Sequence, residues 1–169
     1  ISHSIIRMMG GDIQVESEYG KGTRFTIHMP LKYHEKAFDE KIERPELSVL
    51  VVDDDKTACL STCNCLSEIG LKSDWVCSGS EAVAATRKRH KEKEDYFAVI
   101  MDLKMPGMSG IETTRQIRSA VGPDVPIIIL SAYDIDEYET DARKAGANGF
   151  VAKPLFKSKL LQILRRFLE

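Results

Sequence analysis

From residue 48 onward the chain alternates β-branched apolar runs with longer amphipathic stretches, and few folds satisfy that alternation. Strands are expected near residues 48–52, 72–76, 97–101, 126–130 and 149–152. Helices are expected near 56–69, 80–92, 109–120, 135–145 and 156–168. Repeated strand–helix units imply a parallel sheet covered by helices on both faces. Right-handed crossovers favour a doubly wound order of 2-1-3-4-5. The first and third strands are then neighbours at the switch point, where open α/β sheets bind ligands.

Both of those strands run into carboxylates. Ser48-Val49-Leu50-Val51-Val52 is followed by Asp53-Asp54-Asp55, and Val99-Ile100-Met101 by Asp102 in a turn built from Pro106, Gly107 and Gly110. Acids packed this closely repel one another unless a positive group neutralises them. Oxygen-only clusters suit hard cations, and Mg²⁺ takes one or two carboxylates while keeping several waters. Asp55 alone also reads as a helix N-cap. Two further strand ends add Ser131, after Val125-Pro126-Ile127-Ile128-Ile129-Leu130, and Lys153, after Gly149-Phe150-Val151-Ala152. Together these groups can hold a phosphoryl group: the lysine and a metal neutralise its oxygens and the hydroxyl donates a hydrogen bond.

Residues 47–169 resemble a response-regulator receiver domain, the phosphoacceptor module of two-component signalling. The matching pieces are V-L-V-V-D-D-D, V-I-M-D-L-K-M-P-G-M-S-G, I-I-I-L-S-A and G-A-N-G-F-V-A-K-P. The resemblance implies a flavodoxin-like fold, with Asp102 taking a phosphoryl group from a phosphohistidine. It also implies Asp53 and Asp54 as the acidic pair, and Mg²⁺ (or Mn²⁺) held by Asp54, Asp102 and the backbone carbonyl of Lys104. Ser131 is then the phosphoryl hydrogen-bond donor, Lys153 its ion-pair partner, and Phe150 the aromatic switch. A buried core phenylalanine is the plainer reading of Phe150. Lys104 and Tyr133 follow Asp102 and Ser131 by two residues each and flank the phosphoryl group in this family. A long cation and a bulky ring there are expected to hinder an attacking water and slow dephosphorylation. The resemblance further implies a cis Lys153–Pro154 bond, and an interaction face that includes Ile135, Tyr138 and Lys157.

Residues 1–31 read differently. Ser2 to Met9 suggests a short amphipathic helix ended by Gly10-Gly11. Asp12–Ser17 and Thr23–Met29 alternate apolar and polar residues around a Glu18-Tyr19-Gly20-Lys21-Gly22 hairpin loop. Such a hairpin buries too little to be stable alone and needs a partner surface, either the following domain or a second copy, so a homodimer stays open. M-G-G-D-I-Q-V-E-S-E-Y-G-K-G-T-R-F-T-I-H-M-P resembles the C-terminal end of a histidine-kinase ATP-binding domain. Its nucleotide boxes and the helix carrying the phosphorylated histidine are not among these residues, so no ATP site or kinase activity is expected here. His3, His28 and His34 read as surface or hairpin residues. Residues 32–46 form a charged linker, with Pro45 suiting entry into the first strand. The order kinase end, linker, receiver implies a hybrid sensor histidine kinase as parent.

Composition adds limits. The 169 residues carry a formal net charge of −2, which gives no basic footprint for nucleic acid. No apolar stretch reaches the ~20 residues needed to span a bilayer, so no membrane contact by this segment is expected. The chain begins at Ile1 rather than Met, so we expect a piece of a longer protein, its membrane anchor, if it has one, lying upstream. Cys59, Cys63, Cys65 and Cys77 lack paired metal-ligand spacing. They read as reduced, buried thiols, with a cytoplasmic location following. A histidine-kinase phosphohistidine domain or a histidine phosphotransfer protein is the expected partner. Two other classes compete. A haloacid-dehalogenase-type phosphatase would need an acid two residues after Asp102, where Lys104 stands. A pseudo-receiver acting only by protein interaction would be expected to have lost Asp102, an acid or the lysine.

Overall fold

The computed structural model describes residues 2–30, 41–42, 44–132 and 136–168. The chain divides into two compact units, Ile1–Ala37 and Phe38–Glu169.

In the first unit α1 (Ser2–Met8) precedes an antiparallel hairpin of β1 (Asp12–Glu18) and β2 (Gly22–His28). Gly20 turns the chain at φ +80°, a conformation that glycine adopts without strain. Opposite residues Ile13 and Ile27, and Val15 and Phe25, fall on one face. Val15, Phe25 and Ile27 stay more than half exposed, because seven-residue strands and one short helix cannot cover them.

The second unit runs β3 (Ser48–Val52), α2 (Lys56–Glu68), β4 (Lys72–Val76), α3 (Gly79–Glu92), β5 (Ala98–Asp102), α4 (Gly110–Val121), β6 (Ile127–Ser131), α5 (Asp136–Ala145), β7 (Gly149–Ala152) and α6 (Lys157–Arg165). All sheet pairings are parallel, in the order β4-β3-β5-β6-β7, which is the expected 2-1-3-4-5. β3, β5 and β6 are buried along their whole length. Alternation distributes their side chains between two cores. Val49, Val51, Ile100, Ile128 and Leu130 join Leu66, Leu160 and Leu164 on the side of α2 and α6. Leu50, Val52, Val99, Met101, Ile127 and Ile129 join Ala82 and Ile117 on the opposite side.

Two features were not legible as linker or loop chemistry. Ile42, assigned by sequence to the charged linker, is 4% exposed in the α2–α6 core, and its N–H donates to the Ile69 carbonyl at 2.7 Å. The remaining linker expectation falls mostly outside the described residues. Arg118 is the second feature. Its guanidinium donates to the carbonyls of Gly122, Val125 and Gly146 and to Asn148 Oδ1, whose oxygen also accepts the Ile127 N–H. Burial lowers the Arg118 pKa, yet its fork satisfies carbonyls from two loops at once, those before β6 and before β7. Arg118→Ala is expected to destabilise the unit by about 2–4 kcal/mol in urea unfolding, and Lys should recover little of it. A loss under about 0.5 kcal/mol would refute this role.

The four cysteines are free, as expected, but only Cys59 is buried, while Cys63, Cys65 and Cys77 are half-buried. Cys59 is fully buried, its Sγ donating to the Asp53 carbonyl at 3.3 Å, and burial pushes its pKa to about 12.

Candidate functional site

Alternation continues past the strand ends and assembles the site. Val51, Ile100 and Val151 face the α2–α6 core, so the residues two further along, Asp53, Asp102 and Lys153, emerge on that same side. The Lys153 ammonium lies 2.7 Å from Asp53 Oδ2 and 2.6 Å from Asp102 Oδ1. The other oxygen of each carboxylate accepts a main-chain donor: Asp55 N–H on Asp53 Oδ1 and Lys104 N–H on Asp102 Oδ2, both at 3.0 Å. Asp53 and Asp102 are buried, at 4% and 8% exposure. Burial alone would lower the Lys153 pKa. The hydrogen bonds and charges of Asp102 and Asp53 outweigh it, and the ammonium is held above its ordinary range. The Lys153–Pro154 bond is cis.

Gly110 controls the position of the acceptor strand. A Cβ there would stand 2.3 Å from the Asp102 carbonyl oxygen and 3.2 Å from the Leu103 Cα. Both are backbone atoms, so nothing can swing away. Gly110→Ala is therefore expected to cost about 1–3 kcal/mol of stability and to slow modification of Asp102. Thermal unfolding that matched wild type would count against it.

Not every expected residue converges. Asp54 is exposed, one residue out of step with Asp53, and among the described residues no three acid, His or Cys side chains are arranged to hold a metal ion. Asp53, Asp54 and Asp102 thus do not form a three-carboxylate cage, because the lysine stands between the two buried ones. A hard cation still suits the donors. One ammonium faces two buried carboxylates, their oxygens retain lone pairs, and Mg²⁺ needs only one or two carboxylates with water. Asp55 is the N-cap of α2, its Oδ1 accepting the Thr57 N–H at 2.8 Å.

Ser131 ends β6 beside β5 and is buried, 2% exposed. Phe150 is half-buried against the core on the α3–α4 side, with the Arg143 guanidinium 5.0 Å from its ring centre. The side chain of Lys104 is exposed, its ammonium 5.3 Å from the Tyr138 ring centre. These two ring contacts had no signal in the sequence, since each joins residues of separate elements. Tyr133 and Ile135 lie outside the described residues, as does His34. Beside the carboxylates, a groove of about 500 Å³ between α2 and the loop after β7 has apolar walls of Ala58, Leu130 and Leu155 and reaches Asp53 and Lys153.

Comparison with known proteins agrees with this geometry. Over 177 aligned residues the chain is 33% identical to the autoinducer 2 sensor kinase/phosphatase LuxQ of Vibrio cholerae, covering 99% of this chain and 20% of that protein. It is 28% identical to the aerobic respiration control sensor protein ArcB of Escherichia coli, covering 99% and 22% respectively. The chain therefore spans about a fifth of the length of these relatives. Among solved structures it is similar to the receiver domain of a Pseudomonas aeruginosa sensor histidine kinase, described with a magnesium ion coordinated in its active-site cleft. That match has a TM-score of 0.64 at 30% identity and covers 72% of this chain and 96% of the other. The chemotaxis protein CheY4 of Vibrio cholerae gives 0.65 at 28% identity, covering 72% and 98%. Among the described residues no helix is long and apolar enough to cross a membrane. With two acids and a lysine meeting at the carboxyl edge of the sheet and residues 49–165 matching the response regulator receiver domain, the chain belongs to the receiver domains of two-component phosphorelay signalling.

Proposed function

We propose that Asp102 accepts a phosphoryl group from a phosphohistidine, in a site completed by Asp53, Asp54, Ser131, Lys153 and a divalent cation. The observation that carries this reading is the meeting of Asp53 and Asp102 on one ammonium at the carboxyl edge of the sheet. An Asp102 oxygen attacks phosphorus and forms the acyl-phosphate P–O bond. The P–N bond to the donor imidazole breaks, its electron pair leaving with the ring nitrogen. Lys153 moves its ammonium onto the transferring oxygens, and the Ser131 hydroxyl donates a hydrogen bond to them. Mg²⁺, or Mn²⁺ in its place, supplies charge neutralisation on those oxygens, held by Asp54, Asp102 and the Lys104 carbonyl with Asp53 alongside. The magnesium described in the active-site cleft of the Pseudomonas receiver supports a divalent cation at this edge of the sheet. As Ser131 is drawn to the phosphoryl group, Phe150 turns inward.

The similarity to sensor kinases over nearly the whole chain supports a hybrid sensor histidine kinase as parent. In this reading residues 1–31 end its ATP-binding domain, residues 32–46 form a linker and residues 47–169 form the receiver, in the cytoplasm. The phosphohistidine comes from the kinase itself or from a histidine phosphotransfer protein, and the apolar groove beside Asp53 suits a protein donor.

Acetyl phosphate with Mg²⁺ tests the reading by intact mass. One added phosphoryl group that requires Mg²⁺ is the expected result. Mg²⁺ binding without an adduct would instead favour a receiver that acts only through protein interaction. Lys104 and Tyr133 follow Asp102 and Ser131 by two residues each, positions that flank the phosphoryl group in this family, so the adduct is expected to hydrolyse slowly. Replacing them with Asn and Glu should shorten its half-life by about an order of magnitude, equivalent to roughly 1.4 kcal/mol of barrier. An unchanged half-life would remove these two residues from the account.

A further inference from the structure

Two cysteines from separate elements converge behind the turn that carries Asp53 and Asp54. Cys59 sits at the start of α2 and is fully buried. Its Sγ donates to the Asp53 carbonyl at 3.3 Å and lies 3.7 Å from the Val76 carbonyl. Cys77 is the residue after Val76, and it is half-buried. Strand alternation gives its direction. Val76 packs with the α3–α4 core, whereas the Trp75 ring lies on the α2 side, 5.5 Å from the Lys56 ammonium. The ladder runs on to the strand ends, since the Asp53 N–H donates to the Val76 carbonyl at 3.4 Å. Cys77, two residues beyond Trp75, therefore emerges on the α2 side, as Asp53 does on the neighbouring strand.

Electrostatics agree with that placement. Burial raises the Cys59 pKa most, and the charge of a Cys77 thiolate raises it further, ahead of the Asp53 carboxylate. A charge acts more strongly the nearer it lies, so the two sulfurs are neighbours. The other cysteines offer no such pairing. Cys63 follows Cys59 by one helical turn, where Cβ atoms stand about 5–6 Å apart. A disulfide needs roughly 3.5–4.5 Å between them. Cys65 is six residues on from Cys59, on a different side of the same helix.

The half-buried thiol is the one an oxidant reaches first. Hydrogen peroxide gives one oxygen to Cys77, forming the sulfenic acid, and its other oxygen leaves as water. The Cys59 sulfur then attacks the Cys77 sulfur. The S–S bond forms, the S–O bond breaks, and hydroxide leaves with the Cys59 proton as a second water. Two thiols are oxidised and one peroxide is reduced. We propose that Cys59 and Cys77 are a peroxide-sensitive dithiol whose disulfide restrains the turn carrying Asp53 and Asp54 and slows modification of Asp102. The restraint acts through the main chain: the disulfide removes the thiol proton that bonds the Asp53 carbonyl and ties α2 to the loop after β4. The effect on Asp102 rests on its being the phosphoacceptor, and the disulfide does not.

Treatment of the reduced full chain with hydrogen peroxide, then denaturation, alkylation with iodoacetamide and intact mass, tests this. The reduced chain should take up four alkyl groups and the oxidised chain two, with digestion joining the peptides of Cys59 and Cys77. Dithiothreitol should restore all four. Cys77→Ser should keep its remaining thiols alkylatable under the same treatment, and Cys63→Ala should still lose two. With acetyl phosphate and Mg²⁺, oxidised wild type should form its adduct about two- to fivefold more slowly than reduced, the worth of one hydrogen bond. Peroxide should leave the rate of Cys77→Ser unchanged. Four surviving thiols, or a link between other cysteines or between chains, would overturn the dithiol whatever the variants do. A Cys59–Cys77 disulfide with an unchanged adduct rate would overturn its control of the site. An absent adduct in reduced wild type would overturn the phosphoacceptor assignment and that control with it, while the thiol count still decides the disulfide.

Discussion

Asp102→Asn is expected to abolish the covalent adduct that acetyl phosphate forms with this chain. Asn has the shape of Asp, so its amide oxygen can still accept the Lys104 N–H that now donates to Asp102 Oδ2. What is lost is the anionic oxygen, and a neutral amide is too weak a nucleophile to displace a leaving group from phosphorus. The expected intact mass is that of the unmodified chain under conditions that label wild type fully. Stability separates lost chemistry from a lost fold. Asp53 remains paired with Lys153 at 2.7 Å in the variant site, and one of two acids sharing an ammonium is removed. The variant should therefore unfold within about 1 kcal/mol of wild type. A surviving adduct would mean that another carboxylate, Asp53 or the exposed Asp54, is the acceptor.

Lys153→Met is expected to lower stability and to slow modification of Asp102 together. Its ammonium is the cation that Asp53 and Asp102 share, and their side chains are only 6% and 11% exposed. Breaking a fully buried ion pair costs about 3–5 kcal/mol and an exposed one at most about 1. With the lysine side chain 29% exposed, the site falls between those limits, so about 2–3 kcal/mol is expected, a fall in Tm of roughly 6–12 °C. The pH dependence has a definite sign. The folded-state pKa of Lys153 is raised, so its contribution is fully present below the unfolded lysine value of about 10.4 and is lost as pH rises through the folded value. Wild type and variant should therefore differ by a constant amount near neutrality and converge only in strong alkali. Convergence near pH 7 would show that the ammonium is not what holds the two acids. The adduct should also form more slowly, since the phosphoryl oxygens lose their cation.

Much of this was legible along the chain. β3, β5 and β6 are buried on both faces, so they appear as unbroken apolar runs that leave few other readings. Each ends in or runs directly into a polar residue, and the right-handed crossover rule favours β3 and β5 as neighbours. Asp53, Asp102, Ser131 and Lys153 could thus be assigned to one sheet edge from local pattern and topology. Ile42 was missed because a single apolar residue in a charged stretch has no periodicity, and its burial depends on the Ile69 carbonyl distant in sequence. Arg118 was missed for a related reason: nearly all its acceptors are backbone carbonyls, which every residue carries and no sequence distinguishes.

By itself the sequence determined the strands, their order and the set of acids, hydroxyl and lysine at their ends, because hydrophobic period and strand-end chemistry are local properties. Only the tertiary structure decided how those groups share their charges. Lys153 stands between Asp53 and Asp102 while Asp54 turns outward, since alternation sends adjacent residues to opposite sides and a single ammonium satisfies the two that emerge together. It likewise decided that Lys104 reaches Tyr138 and that Arg143 reaches Phe150. Side chains from separate elements meet only after the sheet has stacked its helices, and no spacing along the chain encodes that distance.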